Sequence, residues 1–539
     1  MTAVRNRWIG LVFIAMGISL VIIDGTIVNT IFPTVIEALN LTSTQVQWVQ
    51  ESYVLVFASL LLVWGSLADR FGRKLVLVIG ITVFVLSSVW AGYSTDATSM
   101  IAARVLQGIG GSMVLPTTLS LVNANFQGKE RGIAFAVWGA TIGGMVALGP
   151  VLGGWFATSF GDDGWRLAFN VNAPIGLIVI AGLLYWVAES KQEQREGGLD
   201  VVGALISVVM FLTLVFGLIE GRVYGWWEQT STQFQLGDFV WPTDTISVIP
   251  ISLGISLVAF VIFYFWERAR EKAHKNVLLD LGLFHITSFR NGSIAALIIS
   301  MGEFGILFSI PLWLQNVIGM SPIDSGLVLL WLAGGSFFAS GLAGGLSGKL
   351  PAALVVRIGV LLEVLAVAGI ALFANVETGW ASIAPSLFVY GLGIGLATAQ
   401  LTGVIMVDVP FEKSGQGSGT QSTARQVGSA LGIAVLGTML FTGTQLSIES
   451  KLADLNVKED QATQISQIVV DSAGSVIPAL KDGLVAQQVP EAVAEDIVTA
   501  TGAGFTEGTK AAAWAAAGFL GLGFLSTFRL GKRKDKGVK

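Results

Sequence analysis

Gly65-Ser66-Leu67-Ala68-Asp69-Arg70-Phe71-Gly72-Arg73-Lys74 joins two apolar runs, Trp48 to Leu67 before it and Leu75 to Tyr93 after it. Each run is close to the ~20 residues that cross a bilayer as a helix. The decapeptide is therefore a very short loop between two membrane helices. It carries Arg70, Arg73 and Lys74 against a single acid, Asp69. Basic residues beside helix ends mark the cytoplasmic side. Gly72 permits a tight reversal. Asp69 can pair with a neighbouring cation or with the open N–H groups of a helix N-terminus. On these residues alone the loop reads as a positively charged turn that sets topology.

Composition points the same way. Of the 539 residues, 53% are hydrophobic and only 12% are charged, whereas a soluble domain carries about 25% charged residues. The deficit argues for one polytopic membrane body rather than several soluble domains. Cys is absent, which excludes disulfides, thiolate metal sites and cysteine nucleophiles. The two histidines, His274 and His285, share one polar connection, so a histidine proton relay inside the membrane is excluded too. The nearest approach to a P-loop, Ala343 to Leu350, has Ala for the first Gly and Leu after the Lys, and so fails the motif twice. There is no nucleophile elbow, metal cluster or basic nucleic-acid face. An enzyme is not expected.

Polar punctuation divides the chain into about fourteen apolar runs of spanning length. They are Ile9–Ile31, Trp48–Leu67, Leu75–Tyr93, Ile101–Val122, Gly132–Ala157, Leu167–Ala188, Val201–Leu218, Ile246–Trp266, Ser293–Asn316, Leu327–Leu346, Ala353–Ala374, Ala381–Val407, Thr420–Phe441 and Ala511–Phe528. The first contains Asp24 and lacks a small-residue cleavage site, so it reads as a retained helix rather than a signal peptide. With the N-terminus inside, the basic loop residues gather on the cytoplasmic side, leaving only Arg166 and Arg222 in the short external loops. Both termini are then cytoplasmic. The expected fold is all-α: a six-helix bundle over 1–190, two inserted helices with their loops over 191–275, and a second six-helix bundle over 276–539. The last unit includes an external acidic loop, 442–510, and a basic tail, 529–539. The loop holds ten acids against four Lys. Its apolar periodicity suits short amphipathic helices, and it is either a solvated spacer or a lid or docking element.

Charges inside spans are costly and default to a functional hypothesis. Asp24, Glu51 and Arg104 each lie roughly 5–10 Å below the outer boundary by helical rise. Two acids and one cation at one depth suit a site that binds and releases a proton; the blander reading is a static ion pair with an interfacial Glu51. Glu303 and Glu363 fall near the middle of their runs, and Phe304, Phe308 and Trp313 share the helix of Glu303. Carboxylate plus aromatics suits a lipophilic cation, and a second proton site or buried structural acids are the alternatives. Gly143, Gly149, Pro150, Gly153 and Gly154 allow close helix contact and a kink. Arg425, opening the Thr420–Phe441 run, is assigned to packing.

Gly-x-Leu-Ala-Asp-Arg-x-Gly-Arg-Lys resembles the loop signature of the major facilitator superfamily. The resemblance implies a charge latch of Asp69, Arg70, Arg73 and Lys74, with Gly65 and Gly72 shaping the turn. Asp24-Gly25-Thr26-Ile27-Val28-Asn29, with Pro33 beyond, resembles the first-helix signature of fourteen-helix drug:proton antiporters, although a bulkier residue than Gly25 is expected. Arg104-Val105-Leu106-Gln107-Gly108-Ile109-Gly110-Gly111 resembles their fourth-helix motif, whose Arg is implicated in proton handling. Gly149-Pro150-x-x-Gly153-Gly154 resembles the antiporter motif that marks exporters. The second-half counterpart of the loop, Gly344 to Lys349, lacks the Asp, so no matching latch is expected there.

Residues and resemblance together imply a multi-pass protein of the cytoplasmic membrane that exports lipophilic, cationic drugs in exchange for protons by alternating access. Asp24, Arg104 and Glu51 would couple protons. Glu303, Glu363, Phe304, Phe308 and Trp313 would meet substrate. No cofactor is expected beyond the proton gradient as energy source. The expected partners are small-molecule substrates, protons and membrane lipids, not nucleic acid, and the carrier is taken as a monomer. The alternatives are an exporter of an endogenous lipid or metabolite, and a receptor or scaffold working through 442–510.

Overall fold

The computed structural model describes residues 2–191, 198–230, 232–236, 239–242, 245–346 and 349–530. Ser347 and Gly348 of the second-half loop, and 531–539 of the basic tail, lie outside the described residues. The chain order is α1 Thr2–Leu39, α2 Ser43–Phe71, α3 Arg73–Gly92, α4 Ala97–Asn125, α5 Gly128–Ser159, α6 Gly164–Asn170, α7 Asn172–Trp186, α8 Val201–Ile219 and α9 Val248–Lys272. It continues with α10 Thr287–Asn316, α11 Pro322–Leu346, α12 Ala352–Phe373, α13 Ala384–Met406, α14 Ser414–Asp454, α15 Glu459–Asp471, α16 Ile477–Ala486 and α17 Glu491–Thr527. A two-residue β-hairpin between α8 and α9 pairs Gln235 with Val240.

Local chemistry sets the helix starts. Thr42 and Gln45 form a reciprocal capping box at α2, Asp96 accepts from Ser99 N at α4 (2.9 Å), and Asp200 accepts from Gly203 N at α8 (2.9 Å). Each satisfies an N–H that the first helical turn leaves open. Pro116, Pro150 and Pro311 sit inside helices, as spanning helices tolerate where neighbours cover the freed carbonyl.

Among the described residues, thirteen helices are long and apolar enough to cross a membrane. The fourteenth expected run, Ala511–Phe528, is the C-terminal half of α17 and is not among the thirteen; its apolar stretch opens only after Lys510. The Leu167–Ala188 run is split at Val171 into α6 and α7. Pro174, in the first turn of α7, has no N–H for the Asn170 carbonyl, which interrupts the hydrogen-bond ladder there, while Gly164–Trp186 still counts as one span.

The 442–510 segment is neither a loop nor a spacer. α14 and α17 continue far beyond the apolar runs, and α15 and α16 close between them. Ala462, Val469, Ile477, Leu480, Ile497 and Phe505 are buried in one core with α10 and α14, while most of its acids face outward. Asn316 Nδ2 at the end of α10 donates to the Ala473 carbonyl (2.9 Å). The Arg222 guanidinium lies 3.4 Å from the Phe441 ring centroid. The segment is a packed helical cap.

Helices α1–α7 share one set of buried apolar cores, with Ile14, Ile18, Phe84 and Phe135 in one of them. A second body centres on Ile299, Ile306, Tyr390 and Leu436 of α10–α14, with Phe505 and Leu520 of α17. α8 and α9 pack on each other and expose Leu205, Leu257, Phe260 and Phe265, as side chains facing lipid do. The two bodies meet where α2 crosses α14 and where α5 crosses α11 and α13.

Candidate functional site

Arg104 and Gln107 lie one turn apart on α4 and reach the same neighbour, as i,i+3 residues do. That neighbour is Asp24 of α1, which is fully buried. Arg104 Nη1 donates to Asp24 Oδ2 (2.9 Å), Gln107 Nε2 to Oδ1 (2.7 Å), and Asn172 Nδ2 of α7 to Oδ1 (3.1 Å). Arg104 is held in turn by Gln107 Oε1 at 2.6 Å and by the Tyr53 ring, 4.3 Å from the guanidinium. Asn172 also donates to Ser88 Oγ (2.8 Å). Three donors and an opposite charge can hold a carboxylate in an apolar interior. Protonation would turn one acceptor into a donor and remove the counter-charge of Arg104.

Glu51 does not join them. It lies two residues from both Val49 and Tyr53, the α2 residues that meet Arg104. At about 100° per residue this places it on the opposite face of the helix. Its carboxyl meets that of Glu220 at the end of α8, close to Tyr224, whose hydroxyl bonds Gln47 Oε1 at 3.2 Å. The depth expected for Glu51 does not bring it to Asp24, because helix face as well as depth decides contact.

The decapeptide forms a bond between the two bodies. Asp69 accepts from Arg73 Nη2 (2.7 Å) and Nε (3.0 Å), and from the backbone N–H groups of Gly415 (2.7 Å) and Gln416 (3.0 Å). Those are first-turn donors of α14, the kind that favour an anion. Arg73 continues to the Phe411 carbonyl (2.7 Å) and Ser190 Oγ (2.7 Å). Asn123 of α4 donates to Ser414 Oγ (3.0 Å), a second tie. Gly65 lets α2 and α14 touch: a Cβ there would lie 2.5 Å from the Gly415 carbonyl oxygen. Gly72 has φ 120°, which L side chains rarely adopt. Lys74 is tied within its own body, Nζ donating to the Leu184 carbonyl (2.9 Å). Arg70 is exposed and stands outside the bond, contrary to the expected four-residue latch.

The α5 glycines face both bodies. Gly149 and Gly153 lie against Thr26, Ile27 and Thr30 of α1, whereas Gly143 lies against Ser336 and Gly154 against Ile323, both of α11. Pro150 meets α11 at Gly326. α5 is thus pressed between the two bodies at these positions.

Between α5, α10, α11, α13 and α14 lies a small cavity of about 30 Å³, with Gly143, Glu303, Phe304, Thr398 and Arg425 on its wall; it has room for a water or two and not for an organic molecule. Glu303 Oε2 pairs with Arg425 Nη2 at 3.3 Å, so Arg425 belongs to the site and not to packing alone. Phe304 faces the cavity. Phe308 instead lies against Gly437 of α14. Trp313 is buried near the cap, its Nε1 donating to Thr506 Oγ1 (3.0 Å). Glu363 is fully buried between α12 and α13 and does not line the cavity. Of the five residues expected at substrate, the structure therefore brings only Glu303 and Phe304 to the cavity.

The sequence profile of the Major Facilitator Superfamily matches residues 14–220 and 236–433. The chain is 29% identical to the "Tetracenomycin C resistance and export protein" of Streptomyces glaucescens, over 96% of this chain and 92% of that one. It is 30% identical to "Multidrug resistance protein Stp" of Mycobacterium tuberculosis, over 97% and 92%. The fold is similar to that of the human organic anion transporter MFSD10 (TM-score 0.58, 12% identity, covering 97% of this chain and 99% of that one). A two-body helical membrane protein with these matches is a multi-pass transporter-fold protein of the cell membrane, and the chain belongs to the Major Facilitator Superfamily.

Proposed function

We propose that the chain is a secondary active exporter of lipophilic cationic drugs, driven by exchange for protons. The observation that carries this reading is the pairing of two intramembrane acid sites with different surroundings. Asp24 is sealed in a closed network with Arg104, Gln107 and Asn172, suited to a proton. Glu303 and Phe304 stand together at the small cavity between the bodies, a carboxylate and an aromatic ring of the kind that take an organic cation once the bodies part there. The resistance and export relatives support a drug exporter.

The Asp69 end faces the cytoplasm in this reading, because the basic loop residues gather there. The Asp69–α14 bond then closes the cytoplasmic side, and α5 is the surface on which the bodies rock. Proton uptake at Asp24 biases one state, and substrate at Glu303 biases the other, each by its differential affinity.

The test is cation-dye transport in proteoliposomes, with and without an imposed pH gradient, for wild type and Asp24→Asn. Uptake that follows the gradient and disappears in Asp24→Asn is expected. Gradient-driven uptake that survives the substitution would move coupling away from Asp24, and no uptake of any cationic dye would overturn the substrate class.

A further inference from the structure

Charge balance distinguishes the two acid sites. Asp24 has an arginine to itself. In the second body two acids, Glu303 and Glu363, stand with one arginine, and Arg425 is already engaged with Glu303 at 3.3 Å. Glu363 is fully buried, and neither of its carboxyl oxygens has a hydrogen-bond partner among the described residues. A Cβ on Gly393 of α13 would lie 2.5 Å from its Cγ, so the side chain fills the gap between α12 and α13. The ionisable groups facing it are Glu303 from α10, Arg425 from α14 and Tyr390 from α13. Tyr390 is committed elsewhere, its hydroxyl donating to the Glu303 carbonyl (3.2 Å). α17, packed on α12, has no ionisable residue from Ala511 to Thr527. A second gap beside Glu303 and Arg425, too small for a water, is walled by Ser300 and Thr398; Thr398 faces the Glu303 carboxyl, and the Ser300 hydroxyl lacks a partner among the described residues.

We propose that Glu363 is a second proton-carrying group of this exporter, discharged when substrate draws Glu303 away from Arg425. The inference rests on the proton-coupled cation reading above. Without substrate, Arg425 balances Glu303, and Glu363 holds a proton, so the three side chains together are neutral. An organic cation entering where the bodies part pairs with Glu303. Arg425 turns to Glu363, whose O–H bond breaks, and the proton leaves to bulk water on the side that opens as the bodies part. One positive charge enters the site and one leaves, so it is neutral again. Release of the substrate restores the Glu303–Arg425 pair, and Glu363 takes a proton from the side then open. An unpartnered buried acid beside a shared arginine is what such an exchange requires.

The experiment measures proton release from the purified full-length carrier in weakly buffered detergent, on adding tetraphenylphosphonium. Glu363→Gln keeps the size of the neutral acid but leaves Arg425 uncompensated when the cation takes Glu303, so it is expected to bind this cation at least about tenfold more weakly than wild type and is compared at saturating cation. It should release one proton fewer per carrier, and Glu363→Asp should restore the release. Infrared difference spectra of the wild type should show a protonated-carboxyl band lost on cation binding, an arm that does not depend on any variant folding. Equal proton release from wild type and Glu363→Gln would overturn this proposal and leave proton coupling at Asp24 standing. Cation binding with no proton release from the wild type would overturn both.

Discussion

At the scale of the residue, the Asp24–Arg104 pair should show the asymmetry of buried charges. Arg104→Ala leaves an uncompensated carboxylate and is expected to cost about 3–5 kcal/mol, whereas removing both charges costs much less. Thermal unfolding in detergent of Arg104→Ala, Asp24→Asn and the double variant tests this. A double variant no more stable than Arg104→Ala would contradict it. Asn172→Ala removes one donor and should cost about 1–3 kcal/mol, with the pH profile of transport displaced. Asp24, Arg104 and Glu303 were legible in the sequence because a charge stands out in an apolar run. Gln107 and Asn172 are uncharged amides and do not stand out, although they complete the same network. Arg425 follows a polar stretch, Ser414 to Thr423, and so reads as a span boundary. Glu51 misled because distance along a helix gives depth readily, while face depends on where the neighbours are.

At the scale of the element, α5 carries the contact between bodies, and its glycines are not equivalent to others in the chain. A Cβ at Gly153 would meet Thr30 Cβ at 2.9 Å, whereas one at Gly25 meets nothing within 4 Å. Gly153→Val should therefore wedge α5 from α1, at the roughly 1–3 kcal/mol typical of overpacking, and abolish transport. Gly25→Val should transport as wild type, which a drug-susceptibility assay with expression controls can compare. The open space at position 25 has room for the bulkier residue that the first-helix signature led one to expect there. Span positions were mostly readable from hydropathy, but helix ends were not. Polar residues end an apolar run without ending a helix, so α14 and α17 continue unbroken into the cap through Gln445, Glu449 and Glu495. The split of α6 from α7 was available in Pro174.

At the scale of the whole molecule, the Asp69 bond holds α2 and α14 together at one end. Hydrogen bonds to a charged group contribute about 1.5–3 kcal/mol, so losing them should shift the balance of conformations by roughly tenfold or more. Because the natural chain has no Cys, a single reporter can read this directly. Ser418→Cys, at a fully buried position of α14, should react slowly with a maleimide and at least about tenfold faster when Asp69→Asn is added. An unchanged rate would mean that the bond does not hold this end shut. On the α14 side the hydrogen-bond partners of Asp69 and Arg73 are main-chain groups, the N–H of Gly415 and Gln416 and the carbonyl of Phe411, and the Phe411 ring lies 4.7 Å from the Arg73 guanidinium. A Cβ at Gly415 would lie 2.6 Å from Asp69 Cγ, so on that side the fastening is made by bare main chain that only glycine leaves accessible. A mutational map should therefore be intolerant at 69, 73 and 415, whereas changes at 416 act through the bonds its side chain makes to Val277 and Asp280. One half of the fastening is read from side chains and the other from the absence of one.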